Sequence, residues 1–398
     1  MSEPLPQRLR AELNRHPLVA RLASQALDAR FSAAAWWHSA ARHARSESQH
    51  SFSLTGLLRG RAPFSAIYIG DDVFLRELDQ WLFAGQAAMN ELEPLARDRL
   101  VRDGVDVVIH EAWPSETSDH PLRPIAQPWL ESRCEPGTSF PAFLRDRVSE
   151  NVRRSLKRAQ AQGFTTRTDG AEEVALRFLR EVAEPMARSL YGDETMIGTP
   201  EKILAWRGRS NRLETLLVER RGEPLGGAVL LHFDLRRETM LHSYGLQPGA
   251  LEDRRLRSEV MAAVNGAVFE AACAKGYVVN LGQTRPFLDD GVFNSKRQWG
   301  THLAPVVRQP RFRLELSAPR WRVLAAAPLF VLGSDGVRAM ASFDPSEEPT
   351  PKSLADRLSG WVCDGLKGIE VVMPAGLPVG SLSALTEVKG CPVSFAHE

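Results

Sequence analysis

The spacing of apolar residues changes along the chain and divides it into segments of different predicted structure. Between positions 64 and 109, two short apolar runs enclose a stretch with three- and four-residue spacing. This pattern predicts a strand over 64–69, a helix over 73–100 and a strand over 105–109, which together form an α/β unit. Prolines recur over 113–141, and because proline interrupts regular elements we expect an extended connection there.

A long amphipathic helix is predicted over 140–162, with apolar residues at Phe140, Leu144, Val148 and Val152 forming one stripe. The opposite face is strongly basic, with Arg145, Arg147, Arg153, Arg154, Lys157 and Arg158. A charged helix face is often simply solvated. The excess of one sign favours instead a polyanionic ligand, whose candidate contacts are Arg153, Arg154 and Lys157.

Three strands with short polar turns are predicted over 214–220, 226–233 and 239–244, an antiparallel meander. A long helix follows and ends at Gly276. The next run, 278–281, is apolar except for Asn280, as in a strand buried on both faces and parallel to its predecessor. The predicted fold class is α/β (α+β), with a mixed, mostly antiparallel central sheet flanked by helices.

Composition narrows the function classes only slightly. Lys and Arg number 50 against 49 Asp and Glu, so attraction to nucleic acid must come from local patches. The four cysteines are far apart, which favours neither a disulfide framework nor a zinc site and indicates a reducing, cytoplasmic setting. No membrane-spanning segment, metal or tightly bound cofactor is expected.

Two segments, ENVRRSLKRAQAQGF and NLGQTRPFLDDGVFNSKRQWG, carry a resemblance to a known family. They are similar to the basic helix and to the strand with its Gly-x-x-x-x-Lys-x-x-x-Gly turn in the tandem branch of the GNAT acyltransferase superfamily. That branch includes Fem-type aminoacyl transferases and acetyltransferase-like domains of envelope and exopolysaccharide loci. With the meander, helix and buried strand between them, the resemblance covers 140–316.

The resemblance implies a division of the chain into four parts. These are an N-terminal helical segment (1–50), an α/β subdomain that corresponds to a degenerate GNAT half (51–139), a GNAT-like acyltransferase domain (140–320) and a small α/β appendage (321–398). It also implies transfer of an acyl or aminoacyl group to an amine of an envelope, polysaccharide or secondary-metabolite precursor. The donor would be a co-substrate, either acyl-CoA or aminoacyl-tRNA.

The donor site is predicted at the loop between the third meander strand and the long helix. Free backbone N–H groups and the helix dipole favour an anion at a helix start, and Gly249 would allow close approach of the backbone. The candidate donor-binding residues are Gln247, Gly249, Arg254, Arg255 and Arg257. Where the family loop has two closely spaced glycines, this chain has only Gly249, which favours tRNA over coenzyme A as the donor.

Candidate catalytic residues lie on either side of the long helix. His242 and Tyr244 would share one face of a strand and could exchange a proton with the substrate, although a histidine on a sheet is often only a hydrogen-bonded structural residue. Lys296, the lysine of the family turn, could contact phosphate or a developing negative charge. Asp289 and Asp290 could bind the substrate amine or merely form a turn.

One alternative of a different class remains open. A protein that keeps this fold without catalysis could use the basic helix to bind RNA or another polyanion. The single glycine of the donor loop and the absence of an unambiguous general base both favour that alternative.

Overall fold

The computed structural model describes residues 50–58, 62–83, 85–93, 105–113, 116–120, 123–191, 210, 212–306, 309–317, 319–347, 349–374, 376–377 and 379–397. Apart from its last residue, the predicted helical segment 1–50 lies outside the described residues.

The described chain contains both strands and helices. The strands are β1 His50–Leu58, β2 Ala62–Gly70, β3 Ala88–Glu91, β4 Val107–Ala112, β5 Ile125–Ala126, β6 Leu130–Cys134, β7 Phe164–Asp169, β8 Arg212–Arg220, β9 Glu223–Phe233, β10 Glu238–Leu246, β11 Val278–Thr284, β12 His302–Pro305, β13 Arg311–Leu316, β14 Leu329–Gly333, β15 Gly336–Ala341, β16 Ile369–Met373, β17 Glu387–Val388 and β18 Cys391–His397. The α-helices are α1 Leu75–Leu78, α2 Phe140–Asp146, α3 Glu150–Ala161, α4 Glu172–Phe178, α5 Glu184–Tyr191, α6 Pro248–Glu252, α7 Arg254–Lys275, α8 Gly291–Arg297, α9 Arg320–Ala326 and α10 Pro351–Ser359.

The chain forms two compact units. Among the described residues, unit 1 comprises Ser132–Gly282 and Gln298–Thr301, and unit 2 comprises the rest. Unit 2 therefore takes segments from both ends of the chain and the segment Gln283–Arg297 between them. The four predicted domain ranges stay predictions.

Unit 1 contains a sheet in the order β6-β11-β10-β9-β8-β7. The predicted meander is confirmed, since β8, β9 and β10 pair antiparallel, and so is the parallel pairing of β11 with β10. One apolar cluster includes residues of α7 and α3, among them Phe269 and Leu156. Phe143, Phe269 and Trp299 stack at centroid distances of 4.8 and 5.1 Å, so Trp299 is a core residue.

The helix predicted over 140–162 is two helices. The chain leaves the helix at Arg147, and the Ser149 side chain accepts a hydrogen bond from the Val152 N–H to begin α3. The Ser149 N–H donates in turn to the Gln298 carbonyl at 2.9 Å. A capping serine begins a second helix after the break. Because the apolar stripe continues across this break, the sequence pattern does not show it.

Unit 2 contains a six-stranded sheet, β3-β1-β2-β4-β13-β5, and a five-stranded one, β14-β15-β16-β18-β17. Most strand pairs in both units are antiparallel, and helices connect many of the strands, so the predicted mixed fold class is confirmed. β13 follows the unit 1 segments in the sequence and pairs with β4 and β5, which precede them.

Two sequence predictions in unit 2 are wrong. The helix predicted over 73–100 ends at Phe83, and β3 follows as a partner of β1. Gly85, at φ 79°, turns the chain, and the Asp79 side chain accepts from the Ala87 N–H at 2.8 Å. The connection over 113–141, predicted as extended and not a regular element, contains the short strands β5 and β6.

A glycine pair tests the close packing of the unit 1 sheet. A Cβ built on Gly227 would lie 2.1 Å from the Leu216 carbonyl oxygen of β8, whereas one on Gly249 would meet nothing within 4 Å. We expect Gly227→Ala to lower the free energy of unfolding by about 3 kcal/mol, because backbone atoms must move. Gly249→Ala should be neutral or slightly stabilising. Urea unfolding of both variants measures this, and equal stabilities would contradict it.

Candidate active site

A gap between two parallel strands is the main feature of unit 1. β10 and β11 pair only from Glu238–Val278 to Met240–Asn280. Beyond that point, no further ladder pair joins these strands in the described chain. At the same place the β10–β9 ladder shifts between Leu241 and Ser243, which leaves His242 as an extra residue, a β-bulge. The bulge bends β10 where it leaves β11.

A buried carboxylate fastens the closed end of the gap. Glu238 on β10 is 4% exposed. Its carboxylate accepts from Arg133 of β6 at 2.7 Å and from the Asn280 side-chain amide of β11 at 2.9 Å. One side chain therefore links the three neighbouring strands β6, β11 and β10. None of these three residues is predicted from the sequence as a site residue; their only sequence signal is polarity within strand segments.

Main-chain groups of β10 face the open part of the gap. The Gln247 N–H donates to the Leu225 carbonyl at 2.9 Å, so these residues form a hydrogen-bonded pair with β9. In an antiparallel ladder hydrogen-bonded and non-bonded pairs alternate. The N–H and C=O groups of Leu246 and Tyr244 therefore point away from β9, towards the β11 side. The middle of this sheet thus presents a strand edge.

The bulge changes the predicted relation between His242 and Tyr244. Simple alternation would put Leu241 and Tyr244 on opposite faces, yet both pack against the same apolar cluster. Alternation therefore fails across the bulge, and the predicted shared face of His242 and Tyr244 stays a prediction. The His242 Nδ1 lies 2.8 Å from the Ser243 hydroxyl, and burial lowers the pKa of His242 to about 4. This imidazole is neutral at neutral pH.

Tyr244 is directed to the long helix. Its hydroxyl donates to the Asn265 side-chain oxygen of α7 at 2.5 Å. Burial raises the pKa of Tyr244, although the bond to Asn265 opposes this. The hydroxyl is therefore protonated and engaged with α7.

The predicted donor loop is a short helix, and the start of α7 is already capped. Gln247 and Gly249 belong to the N-cap and first turn of α6, and Gly249 faces open space. The Asp253 carboxylate accepts from the N–H groups of Arg255 and Leu256 at 2.8 and 3.1 Å. The chain's own anion thus occupies the position predicted for a donor phosphate.

The arginines after Asp253 have different surroundings. Arg254 is exposed. The Arg255 side chain donates to Glu259 at 3.1 Å, and the Arg257 side chain to the Leu251 carbonyl at 3.5 Å. Of the three candidate phosphate contacts, two are thus also engaged within the chain.

Buried Glu259, which the sequence analysis did not identify, joins α7 to α3. It is 1% exposed. Its carboxylate accepts from Arg158 at 2.8 Å and from Gln162 at 2.7 Å, in addition to Arg255. Burial alone would raise the pKa of Glu259, but these hydrogen bonds outweigh it and the pKa is lowered. An acidic residue four positions after an arginine on a helix was the available sequence signal.

The other basic residues of α3 also contact the chain. Arg153 donates to the Arg145 carbonyl at 3.0 Å, and Arg154 to the Asn151 side chain at 2.9 Å. Lys157 is exposed. The predicted basic face exists on α3, with two of its three candidate contacts held by local acceptors.

Lys296, Asp289 and Asp290 belong to unit 2. Lys296 of α8 is buried, and its Nζ donates to the Gln283 carbonyl at 2.7 Å. Burial lowers its pKa to about 7, against the raising effect of Asp290. The Asp290 carboxylate accepts from the N–H groups of Val292 and Phe293 at 2.9 and 3.0 Å, so it caps α8. This geometry favours the turn-forming alternative for Asp290. Asp289 is half-buried.

The structure therefore brings the predicted residues together in two sets. In unit 1, His242, Tyr244 and the donor-site candidates follow one another from the gap to the first turns of α7. In unit 2, α8 contains Lys296, and Asp289 and Asp290 directly precede this helix. Within the described residues, no group of three or more His, Cys, Asp or Glu side chains could hold a metal ion. None of the helices described is both long and apolar enough to cross a membrane.

Comparison with known proteins finds similarity in structure alone. No protein-family model and no curated protein matches the sequence. Among solved structures, the chain is similar to FemX, with a TM-score of 0.37 and 12% identity over 70% of this chain and 88% of that one. It is also similar to L-PGS from Bacillus licheniformis (TM-score 0.32, 10% identity, 68% and 81% covered). A third similar structure is a GCN5-related N-acetyltransferase from Kribbella flavida (TM-score 0.26, 13% identity, 75% and 64% covered). At these scores and identities none of the three assigns a reaction to this chain.

Removing the carboxylate at the closed end of the gap tests its structural role. In Glu238→Ala the Arg133 guanidinium and the Asn280 amide lose a buried acceptor, so we expect a loss of about 3 kcal/mol in the free energy of unfolding. Glu252→Ala, at an exposed site on α6, is the matched control and should change little. Urea denaturation compares the free energies of unfolding of the two variants. A similarly small loss in both would exclude the structural role of the Glu238 carboxylate.

The lowered pKa of Lys296 predicts a pH dependence of stability. Between the folded value of about 7 and the ordinary value of 10.5, the unfolded chain holds a proton that the folded chain lacks. The free energy of unfolding should then rise with pH over this window, by up to about 1.4 kcal/mol per pH unit.

Lys296→Met should remove this rise, because methionine does not titrate. Lys275→Met, at the exposed end of α7, should retain it. Urea unfolding at pH values of about 6, 7.5 and 9 gives the slopes. The same slope in wild type and Lys296→Met would contradict the prediction.

Proposed function

We propose that the chain is an N-acyltransferase that moves an acyl or aminoacyl group from acyl-CoA or aminoacyl-tRNA to an amine. The acceptor would be a precursor of the cell envelope, of a polysaccharide or of a secondary metabolite. The observation that carries the proposal is the gap between β10 and β11. It places a strand edge and a neutral histidine at one position in the sheet.

The gap suits a donor with an extended, amide-bearing arm. Backbone groups that point into a gap must be satisfied by water or by a ligand. A strand-like ligand can pair with such an edge and acquire a defined register, as in β-strand addition. The outward main-chain groups of Tyr244 and Leu246 would hold the donor, and the bulge at His242 would lie beside its reactive carbonyl.

The reaction requires few groups from the protein. The amine nitrogen forms a bond to the acyl carbon, the carbon–sulfur or carbon–oxygen bond to the donor breaks, and the amine loses a proton. Positioning and stabilisation of the oxyanion provide most of the acceleration in such a transfer. We assign proton acceptance to neutral His242 of unit 1. A role of Lys296 in charge stabilisation is a separate proposal, supported by a buried amine that titrates near neutrality.

Binding of RNA or another polyanion without catalysis remains the alternative function. The exposed Arg154 and Lys157 of α3 support it, whereas the internal contacts of Arg153 and Arg158 weaken it. Binding of uncharged tRNA that weakens steeply with salt, together with the absence of transfer, would favour this alternative.

The proposal predicts transfer that depends on Lys296. With mixed acyl-CoA or aminoacyl-tRNA donors and a panel of amines, mass spectrometry should detect an N-acylated product. Lys296→Ala should lower the rate by about 100-fold or more, because a group that stabilises developing charge is lost. Lys275→Ala, which removes an exposed lysine of α7, is the control and should keep the wild-type rate.

The circular dichroism spectrum and the urea midpoint of each variant show whether it is folded. If Lys296→Ala is unstable, Lys296→Met replaces it, since methionine fills a similar volume. Absence of transfer and of donor binding in the wild-type chain would refute the proposed function. A folded Lys296 variant with unchanged turnover would remove Lys296 from it.

A further inference from the structure

A polar concavity of about 360 Å³ opens in unit 1 at the tip of the β8–β9 hairpin. It is lined by Gln162, Arg220, Arg221 and Glu223. Gln162 follows the last residue of α3, and the other three form the hairpin turn. None of these residues is among the catalytic or donor-binding candidates above. The concavity is large enough for part of a small organic ligand.

The concavity and the open part of the gap lie towards the same end of the unit 1 sheet. Glu223 begins β9, and three residues later Gly226 pairs with Leu246, the last residue of β10. The open part of the gap extends from His242 towards Leu246. The hairpin tip and the open end of the gap therefore share one edge of the unit 1 sheet. In the strand order, β10 alone separates the gap from the hairpin.

A second observation concerns charge at this edge. Asp253 already caps the first turn of α7, which is the usual place for a phosphate beside such a strand. An anionic group on the donor then needs other cations. Arg221 is exposed, and within the described chain no side-chain hydrogen bond or ion pair of Arg221 is formed. Among the described residues, Arg220 makes one side-chain hydrogen bond, a long one of 3.4 Å to Gln162, and its guanidinium lies over the Phe164 ring.

The hairpin turn has an arginine at an unfavourable backbone position. Arg221 has φ 55° and Gly222 φ 80°, the pattern of a two-residue turn in which both residues are left-handed. Asn, Asp or Gly adopts this conformation more readily, whereas other residues incur a cost of about 1 kcal/mol. A residue in such a conformation is a starting point for a functional hypothesis. Arg221 is also one of the residues that line the concavity.

Contacts inside the protein fix the floor of the concavity. The Gln162 amide donates to Glu259 at 2.7 Å while its oxygen accepts from Arg220. Glu259 also holds Arg255 in the first turn of α7. Arg220, Gln162 and Glu259 thus connect the hairpin to α7, and Arg221 and Glu223 are left to meet a ligand.

We propose that Arg220, Arg221 and Glu223 form a subsite for a phosphorylated ribose, the nucleotide part of the acyl donor. The two guanidinium groups would bind the phosphate, for which their fork of donors is suited. The Glu223 carboxylate would accept a hydrogen bond from a ribose hydroxyl, which a bare phosphate lacks. The subsite rests on the proposed acyl transfer, because the acyl arm of the same molecule would occupy the gap. Both coenzyme A and the end of a tRNA carry this chemistry.

The experiment measures binding by the full chain without any reaction. Adenosine 3′,5′-bisphosphate and inorganic phosphate are titrated calorimetrically into wild type, Arg221→Gly, Glu223→Gln and Arg188→Gln. Glycine suits the left-handed turn, so Arg221→Gly should remain folded. Arg188→Gln, in α5, removes an equal charge elsewhere in unit 1 and is the matched control.

We expect the wild type to bind the bisphosphate more tightly than phosphate. Arg221→Gly should weaken bisphosphate binding by about tenfold or more, as for loss of one charge-assisted hydrogen bond. Arg188→Gln should not weaken it. Glu223→Gln should reduce the preference for the bisphosphate over phosphate. No binding by the wild type, or equal effects of Arg221→Gly and Arg188→Gln, would overturn the subsite.

Competition identifies the source of the nucleotide. Displacement of the bisphosphate by coenzyme A but not by uncharged tRNA would assign the subsite to the coenzyme, and the reverse would assign it to tRNA. Displacement by both would show that both donors use the subsite. Displacement by neither would overturn the proposal. The outcomes also separate the two proposals. Arg221-dependent binding without transfer keeps the subsite and removes the acyltransferase, whereas transfer with no effect of Arg221→Gly removes the subsite alone.

Discussion

The buried Glu238 carboxylate holds β6, β11 and β10 together at one level of the unit 1 sheet. A buried charge with two partners is costly to break, because removing either partner leaves it uncompensated in a medium of low dielectric. This contact therefore marks where the parallel strands stay joined. Two residues beyond the last ladder pair, the bulge at His242 bends β10 away. A firm closed end is what allows the other end of the strand pair to stay open as a gap.

Carboxylates of the chain also decide where an external anion could bind. Asp253 satisfies the free N–H groups at the start of α7, and Glu259 engages Arg158, Arg255 and Gln162 between α3 and α7. The number of basic residues in the sequence therefore overstates the positive charge that a ligand would meet. The hairpin at Arg221 is different, because its guanidinium extends from a turn with no internal acceptor among the described residues. Local pairing, more than total charge, selects the position of the proposed subsite.

Much of the fold was predictable, because short turns and a uniform spacing of apolar residues indicate local structure directly. The meander β8–β10, the parallel strand β11 and the capping of α7 at Gly276 follow from such signals. The failures occurred where a side chain overrides the period. Ser149 splits one predicted helix into α2 and α3, and Asp79 with Gly85 ends another and allows β3 to form. Single capping contacts of this kind leave the apolar pattern almost unchanged.

The sequence by itself determined the class of elements and the candidate chemistry of His242, Tyr244 and Lys296, because residue type and spacing depend only on neighbours along the chain. Tertiary structure alone decided what those groups can do. It set the bulge at His242, and the burial that lowers the pKa of His242 to about 4 and of Lys296 to about 7. Burial, strand register and hydrogen-bond partners arise from segments distant in sequence, and no local pattern specifies them.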